Sequence, residues 1–382
     1  MTEQIHLKGI AWNHTRGFTS VVATAQRYEE LYPEVRITWE KRSLQAFADA
    51  PMDQLAAEYD LIVMDHPHTA VAAESHALLP LDDWLSADFL DDQSANSVGR
   101  SHESYSYGGH QWTLATDAAA PIATWREDLI EANGLALPAT WEDVLELARG
   151  NQVAVSLFPV DVLMHVYMFC EAIGTPAFGG GDELAPADSL ATALAALREL
   201  GQLCGAESFD RNPIRTAETM TQTDRAAYCP FAYGYSNYSR PLYSRTVLAA
   251  GGLVEFRGTR LRSTLGGAGL AVSSKTAHPK AATDYARFTA SPETQRGIYF
   301  EAGGQPGHRS AWTDEAVNAA SNNFFRNTLR TLDDAIVRPR HASYMPFQDA
   351  ASPVAHSAVT GKETIPSAIK ELNRLYREFL LP

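Results

Sequence analysis

Residues 5–65 read IHLKGIAWNHTRGFTSVVATAQRYEELYPEVRITWEKRSLQAFADAPMDQLAAEYDLIVMD, and their patterning decides the fold class. Residues 5–10 alternate in part, as a short strand does. From 19 to 31, Val22, Ala25, Tyr28 and Leu31 recur at helical spacing, and Pro33 stops the helix. Residues 35–39 alternate again, 44–58 read as a second helix, and 61–64 as a buried strand ending at Asp65. Strand, helix, strand, helix, strand is the order of a parallel sheet with crossover helices. Ligands of such sheets lie beyond the carboxyl ends of the strands. The loops 11–18 and 65–69 are therefore the first candidates for a site.

The same alternation resumes after Asp117. Residues 141–149 and 189–203 look helical, and 153–157 and 226–231 look like buried strands. GGAGLAVSS, 266–274, is a glycine-led strand. Residues 279–290 and 292–302 are helical. The tail 366–380 is an amphipathic helix with Ile369, Leu372, Leu375 and Phe379 on one face. No internal repeat and no low-complexity tract interrupts the pattern.

With 382 residues the chain is long enough for two lobes. Its 45% hydrophobic and 20% charged content is that of a globular protein. Acidic residues outnumber basic ones, 46 to 31, for a formal net charge of -15. Such a field repels a phosphate backbone, which argues against a nucleic-acid partner. Cys170, Cys204 and Cys229 have no metal-ligand spacing and leave at least one thiol free. They read as small buried hydrophobes, with a Cys204–Cys229 pair left open because spacing does not establish geometry. No stretch is long and apolar enough to span a bilayer. The start, MTEQIHLKGIAW, lacks the basic and apolar regions of a secretory signal. A leader removed beforehand, export by another route and retention inside all remain open.

Several segments resemble, in order, the extracellular solute-binding proteins that serve carbohydrate ABC importers, the group that includes maltose-binding protein. They are YGGHQWTLATDAAAPIATWRED (107–128), LALPATWEDVLEL (135–147), AAYCPFAYGYSNYSR (226–240), GGAGLAVSSKTAHPK (266–280), GGQPGHRSAW (303–312) and GKETIPSAIK (361–370). In the second, Thr140 is a helix N-cap with Asp143 three residues on, an aspartate form of the capping box. The resemblance implies an α/β, two-lobed periplasmic-binding-protein fold with discontinuous lobes and a three-segment hinge. The N-terminal lobe would hold 1–115 and 265–310, and the C-terminal lobe 118–262 and 313–382. The hinge would lie near 116–117, 263–264 and 311–312. It further implies a monomeric periplasmic protein that closes on a small polar ligand, a sugar or sugar derivative, and delivers it to membrane permease subunits. No cofactor is implied.

A sugar-binding site needs strong hydrogen-bonding partners and flat aromatic surfaces. Trp12, Asn13, His14 and Arg16 offer a platform and donors on the first loop; the alternative is a solvated loop with Trp12 turned inward. Asp65 and His66 are candidate contacts on the second loop, and the Asp65-His66-Pro67-His68 spacing does not support a metal site. Asp117 lies where the family places a ligand contact; it could otherwise be a hinge acceptor. Tyr233, Tyr235, Asn237 and Tyr238 form an aromatic cluster after a buried strand. Gly267, beside Gly266, permits close backbone approach, to a ligand or in a turn. His308 and Arg309 follow a glycine-proline turn, and Arg309 suits an anion or a hinge carboxylate. Arg340 is the member of the patch Arg338, Arg340, His341 and Tyr344 read as pointing inward. Asp161 and His165 are read as a satisfied structural pair at i, i+4. There is no G-x-S-x-G elbow, phosphate-cradling loop or H-E-x-x-H motif, so the chain is read as a binding protein rather than an enzyme. A carbohydrate-active enzyme using a carboxylate pair such as Asp65 and Asp117, and a cytoplasmic sugar-sensing module, are the alternatives.

Overall fold

The computed structural model describes residues 4–43 and 51–381. The chain divides into two compact units: Met1–Ala119 with Leu265–Ala319 and Arg340–Ala342, and Ala120–Thr264 with Ala320–Pro339 and Ser343–Pro382. The third boundary falls at 319–320 rather than near 311–312. Residues 340–342, expected in the second unit, cluster with the first because Arg340 bonds to Glu103 and Ser106 there.

Unit 1 is built on a five-stranded sheet. β1 (Ile5–Trp12) pairs in parallel with β2 (Val35–Arg42) on one side and β3 (Leu61–Asp65) on the other. Beyond β3 the strands Ala268–Val272 and Thr113–Leu114 are added antiparallel. Residues Leu61 to Met64 are all buried, as a strand covered on both faces demands. Helix α1 (Ser20–Leu31) packs on the sheet through Val21, Thr24, Ala25 and Tyr28. The buried stripe thus differs from the expected one: Val22 is half-buried and Leu31 exposed. Thr24 is tolerated inside because its hydroxyl bonds Tyr285 Oη at 2.9 Å. The loop expected at 11–18 is shorter than read, since β1 runs through Trp12 and residues Thr15–Thr19 form a π-helical turn leading into α1. Of the helix expected at 44–58, Met52–Glu58 is seen, and 44–50 lie outside the described residues.

Unit 2 carries a three-stranded antiparallel sheet in the order Tyr228–Tyr233, Pro121–Trp125, Ala249–Gly251. The strand expected at 153–157 is a single bridge from Val153 to Tyr228. Its apolar run is spent instead on packing, with Val155 and Leu157 fully buried in the helical core. That core centres on Trp141, Phe169, Phe231 and Phe256. Helix Trp141–Arg149 starts at Thr140 with both bonds of the capping box formed. The tail helix Ile365–Leu380 buries Ile369, Leu372 and Leu375 against helix Tyr344–Thr360, with Phe379 half-buried beside them. In unit 1, residues 292–302 do not form one regular helix: a π-helical turn, Gln295–Tyr299, follows Pro292–Thr294, and Gly297 leaves helical geometry. Cys170, Cys204 and Cys229 are all free thiols, each pushed up to about 12 by burial.

Candidate functional site

In unit 1, β1 and β3 end side by side and deliver Trp12 and Asp65 to the same edge of the sheet. Trp12 is buried in the core with Ala11, Val21 and Leu114. Its indole lies so close over Gly17 that a Cβ there would stand 2.4 Å from the ring. The inward reading of Trp12 is therefore the observed one. His14 Nδ1 accepts the Arg16 backbone N–H at 3.0 Å. An accepting Nδ1 requires the neutral ring. Burial, with the Arg16 charge adding to it, lowers this imidazole to about 4.

Arg16 turns away from the loop onto Asp117. Nε donates to Oδ2 at 2.8 Å and Nη2 to Oδ1 at 2.5 Å, with both residues buried. Ala268 N–H adds a third bond to Oδ1 at 3.2 Å. Burial pushes the Asp117 carboxyl up, and the Arg16 guanidinium pulls against it. Backbone bonds between Asp117 and Ala268 run both ways, at 2.8 and 3.1 Å. Gly267 sits at φ +109, and a Cβ there would come 2.4 Å from the Asp117 carbonyl oxygen. Its glycine serves the close approach of two chain segments. Arg16, Gly267 and Ala268, which all meet Asp117, belong to unit 1.

Asp65 Oδ1 caps the turn His66–His68 by accepting from His66 N–H at 2.8 Å, and lies 3.3 Å from His66 Nδ1. His66 is 1% exposed and meets Tyr105 edge-on. His308 Nδ1 accepts the Ser310 N–H at 3.2 Å, so Nε2 is the donor to Asp92 at 3.3 Å. It is thereby the cap of the helix Arg309–Thr313. Arg309 bonds the carbonyls of Asn96 and Ser97, at 2.7 Å through its backbone and 3.3 Å through its guanidinium. Arg340 does not point inward as expected: it donates to the carbonyls of Glu103 at 2.6 Å and Ser106 at 3.1 Å, and pairs with the Glu103 carboxylate. A surface carboxylate and two open carbonyls outcompete any inward position for so strong a donor.

In unit 2, Tyr233 ends its strand with Oη 3.1 Å from Thr264 Oγ1. Tyr235 is half-buried and lines, with Tyr238, Cys229 and Leu248, a hollow of about 20 Å³. That is room for one water, not for a sugar. Asn237 is fully buried in the turn Ser236–Ser239, and Tyr238 packs edge-on against Tyr243. Asp161 and His165 are not the satisfied pair expected. Asp161 accepts from Ser156 Oγ at 2.6 Å, while both His165 ring nitrogens are buried without a hydrogen bond. His165 instead lies 4.3 Å from the Phe231 ring.

Two residues were passed over in the sequence. Arg42 stands opposite Trp12 in the β1–β2 register, and burial lowers its guanidinium to about 10. Alternation along VRITWEKR could have singled it out, but three charged residues in a row obscure the face. Gln305 donates to the Ala118 carbonyl at 2.8 Å and so braces the same crossover as Asp117. Among the described residues, Asp82, Asp83 and His110 form a group able to gather on a cation, and all three are exposed.

Residues 11–154 match the family model of bacterial extracellular solute-binding proteins. The maltose-bound MalE3 of T. maritima superimposes with a TM-score of 0.81 at 18% identity, over 98% of this chain and 100% of that one. The likeness to this structure is one of fold. The GacH receptor of Streptomyces glaucescens GLA.O, solved unliganded and with acarbose, shares the solute-binding fold with a TM-score of 0.82 at 15% identity, over 99% of this chain and 98% of that one. A probable ABC transporter-binding protein of Deinococcus radiodurans is 24% identical over 288 residues, 69% of this chain and 68% of the relative. The matched family and these neighbours are binding proteins. No helix among the described residues is long and apolar enough to cross a membrane.

Proposed function

We propose that this chain is a solute-binding protein that captures a sugar or sugar derivative for an ABC importer. The observation that carries the reading is the carboxyl edge of the unit 1 sheet, where β1 and β3 end side by side and are followed by His14 and by Asp65 and His66, with Trp12 packed into the core behind them. A parallel sheet presents ligands there. The named neighbours that hold maltose and acarbose support the sugar class. Tyr233 and Tyr235 of unit 2 supply aromatic area with polar tips. Neither set surrounds a ligand alone, so binding is proposed to favour a closed arrangement by differential affinity. Asp117 and Gly267 are assigned to building the edge rather than to touching the solute. Residence outside the cytoplasmic membrane, delivery to permease subunits and a monomeric state belong to the same proposal.

A thermal-shift screen of neutral, acidic and amino sugars tests it. Ligand at a hundredfold excess over Kd stabilises the folded state by about 2.7 kcal/mol. A sugar that raises Tm should also reduce the radius of gyration in small-angle scattering. No shift with any sugar class, or turnover of the sugar that binds, would defeat the reading.

A further inference from the structure

The amino ends of β1 and β2 carry a second hollow, with a volume of about 690 Å³. β1 and β2 run in register from Ile5 opposite Val35 to Trp12 opposite Arg42. Ile5 and Val35 line the hollow, so it lies at the far end of the sheet from Trp12, roughly 23 Å away at ~3.3 Å per residue. Its volume falls in the range of small-molecule sites, about 300–1,000 Å³.

The walls combine two kinds of surface. Tyr32, 42% exposed, lies over Tyr28 with ring centroids 4.4 Å apart, and Phe288 meets Tyr28 at 5.4 Å. Around these rings stand charges of both signs. Lys280 is paired with Asp284 at 2.5 Å, Glu293 lies 3.8 Å from Arg296, and Glu34 and Arg287 complete the rim. A ligand of one fixed charge would meet as much repulsion as attraction here. The pairing of Lys280 with Asp284 takes one such set of poles away from a zwitterion. A neutral polyhydroxylated ring fits both features: its hydroxyls donate to carboxylates and accept from ammonium and guanidinium groups, and its apolar face lies on tyrosine.

We propose that this hollow is a second carbohydrate site, for neutral oligosaccharide, independent of the edge that holds Trp12 and Asp65. It stands whether or not the importer reading holds. The test is a titration of the full chain with maltotriose, followed by amide NMR. Amides of residues 31–35 and 287–293 should shift in a saturable way, and Tyr32→Ala should weaken that response at least tenfold. Asp65→Ala should leave it unchanged, whereas a response confined to the ends of β1 and β3 would support the importer site alone and overturn this one. Absence of any shift at 31–35, or an undiminished shift in Tyr32→Ala, would also overturn it. So would a stronger response there to inorganic phosphate or tetramethylammonium than to maltotriose. Because Tyr32 is exposed, the fold of its alanine variant is checked by an unchanged Tm.

Discussion

Arg16 and Asp117, 101 residues apart in sequence, meet as a buried two-pronged ion pair that ties the turn after β1 to the segment that follows strand Thr113–Leu114. Removing one member of such a pair leaves the other charge buried and uncompensated, at a cost of about 3–5 kcal/mol. Asp117→Ala should therefore lower the urea midpoint strongly before any ligand is added. Replacing both members, as in Arg16→Met with Asp117→Leu, should recover much of the loss, since apolar pairs of like volume replace buried ion pairs at little cost. A single variant with unchanged midpoint would show that the pair contributes nothing to folding.

Gly267→Ala adds a methyl where the backbone stands at φ +109 and the Asp117 carbonyl oxygen would be 2.4 Å away. Positive φ for a side-chain-bearing residue costs on the order of 1–2 kcal/mol, and the overlap adds to it. The expected result is a lower Tm, with a loss clearly larger than that of Gly258→Ala. Gly258 also has positive φ but open space around its would-be Cβ. Equal losses at the two positions would remove the contact from the account.

Buried titratable groups in unit 2 set opposing pH dependences. Burial lowers His165 from 6.5 to about 3, so its folded form resists protonation. Stability from this group is complete above 6.5 and falls as pH drops from there toward 3. Burial raises Asp161 from 3.8 to about 7, with Ser156 opposing. Its folded form prefers the neutral acid, so its contribution is complete below 3.8 and is lost as pH rises toward 7. Chemical denaturation across this range should give His165→Phe a flatter acid limb than the parent, and Asp161→Asn a flatter limb toward neutrality. Parallel curves for parent and variants would refute the assignment.

At Thr140 the capping box closes the start of helix Trp141–Arg149 with bonds in both directions. Thr140→Ala should cost about 1 kcal/mol, read as a shift in urea midpoint without change in slope. Thr140→Ser should recover most of it.

Strand and helix order was readable because period and punctuation agree: Pro33, the 61–64 apolar run and the Thr140 box each mark what they bound. What failed has physical reasons. Residues 153–157 look like a strand because buried apolar runs carry no period when every face is covered. The stripe of α1 was misplaced because a threonine is buried there, and only Tyr285, far along the chain, explains it. Asp117 meets Arg16, a partner 101 residues away that its own segment does not announce. Arg340, assigned inward, is held by Glu103, a partner that no local pattern announces.

The strand Ala268–Val272 lies between β3 and Thr113–Leu114 in the unit 1 sheet. A ribosome delivers β3 and Thr113–Leu114 long before it delivers the strand that belongs between them. Throughout that interval the nascent chain shows an open edge of Leu61 to Asp65, four of whose five residues are buried in the finished fold. Unpaired apolar edges recruit other chains. Fragments that end between residues 65 and 268 should therefore aggregate or be held by chaperones, and unit 1 completes only after most of unit 2 has been synthesised.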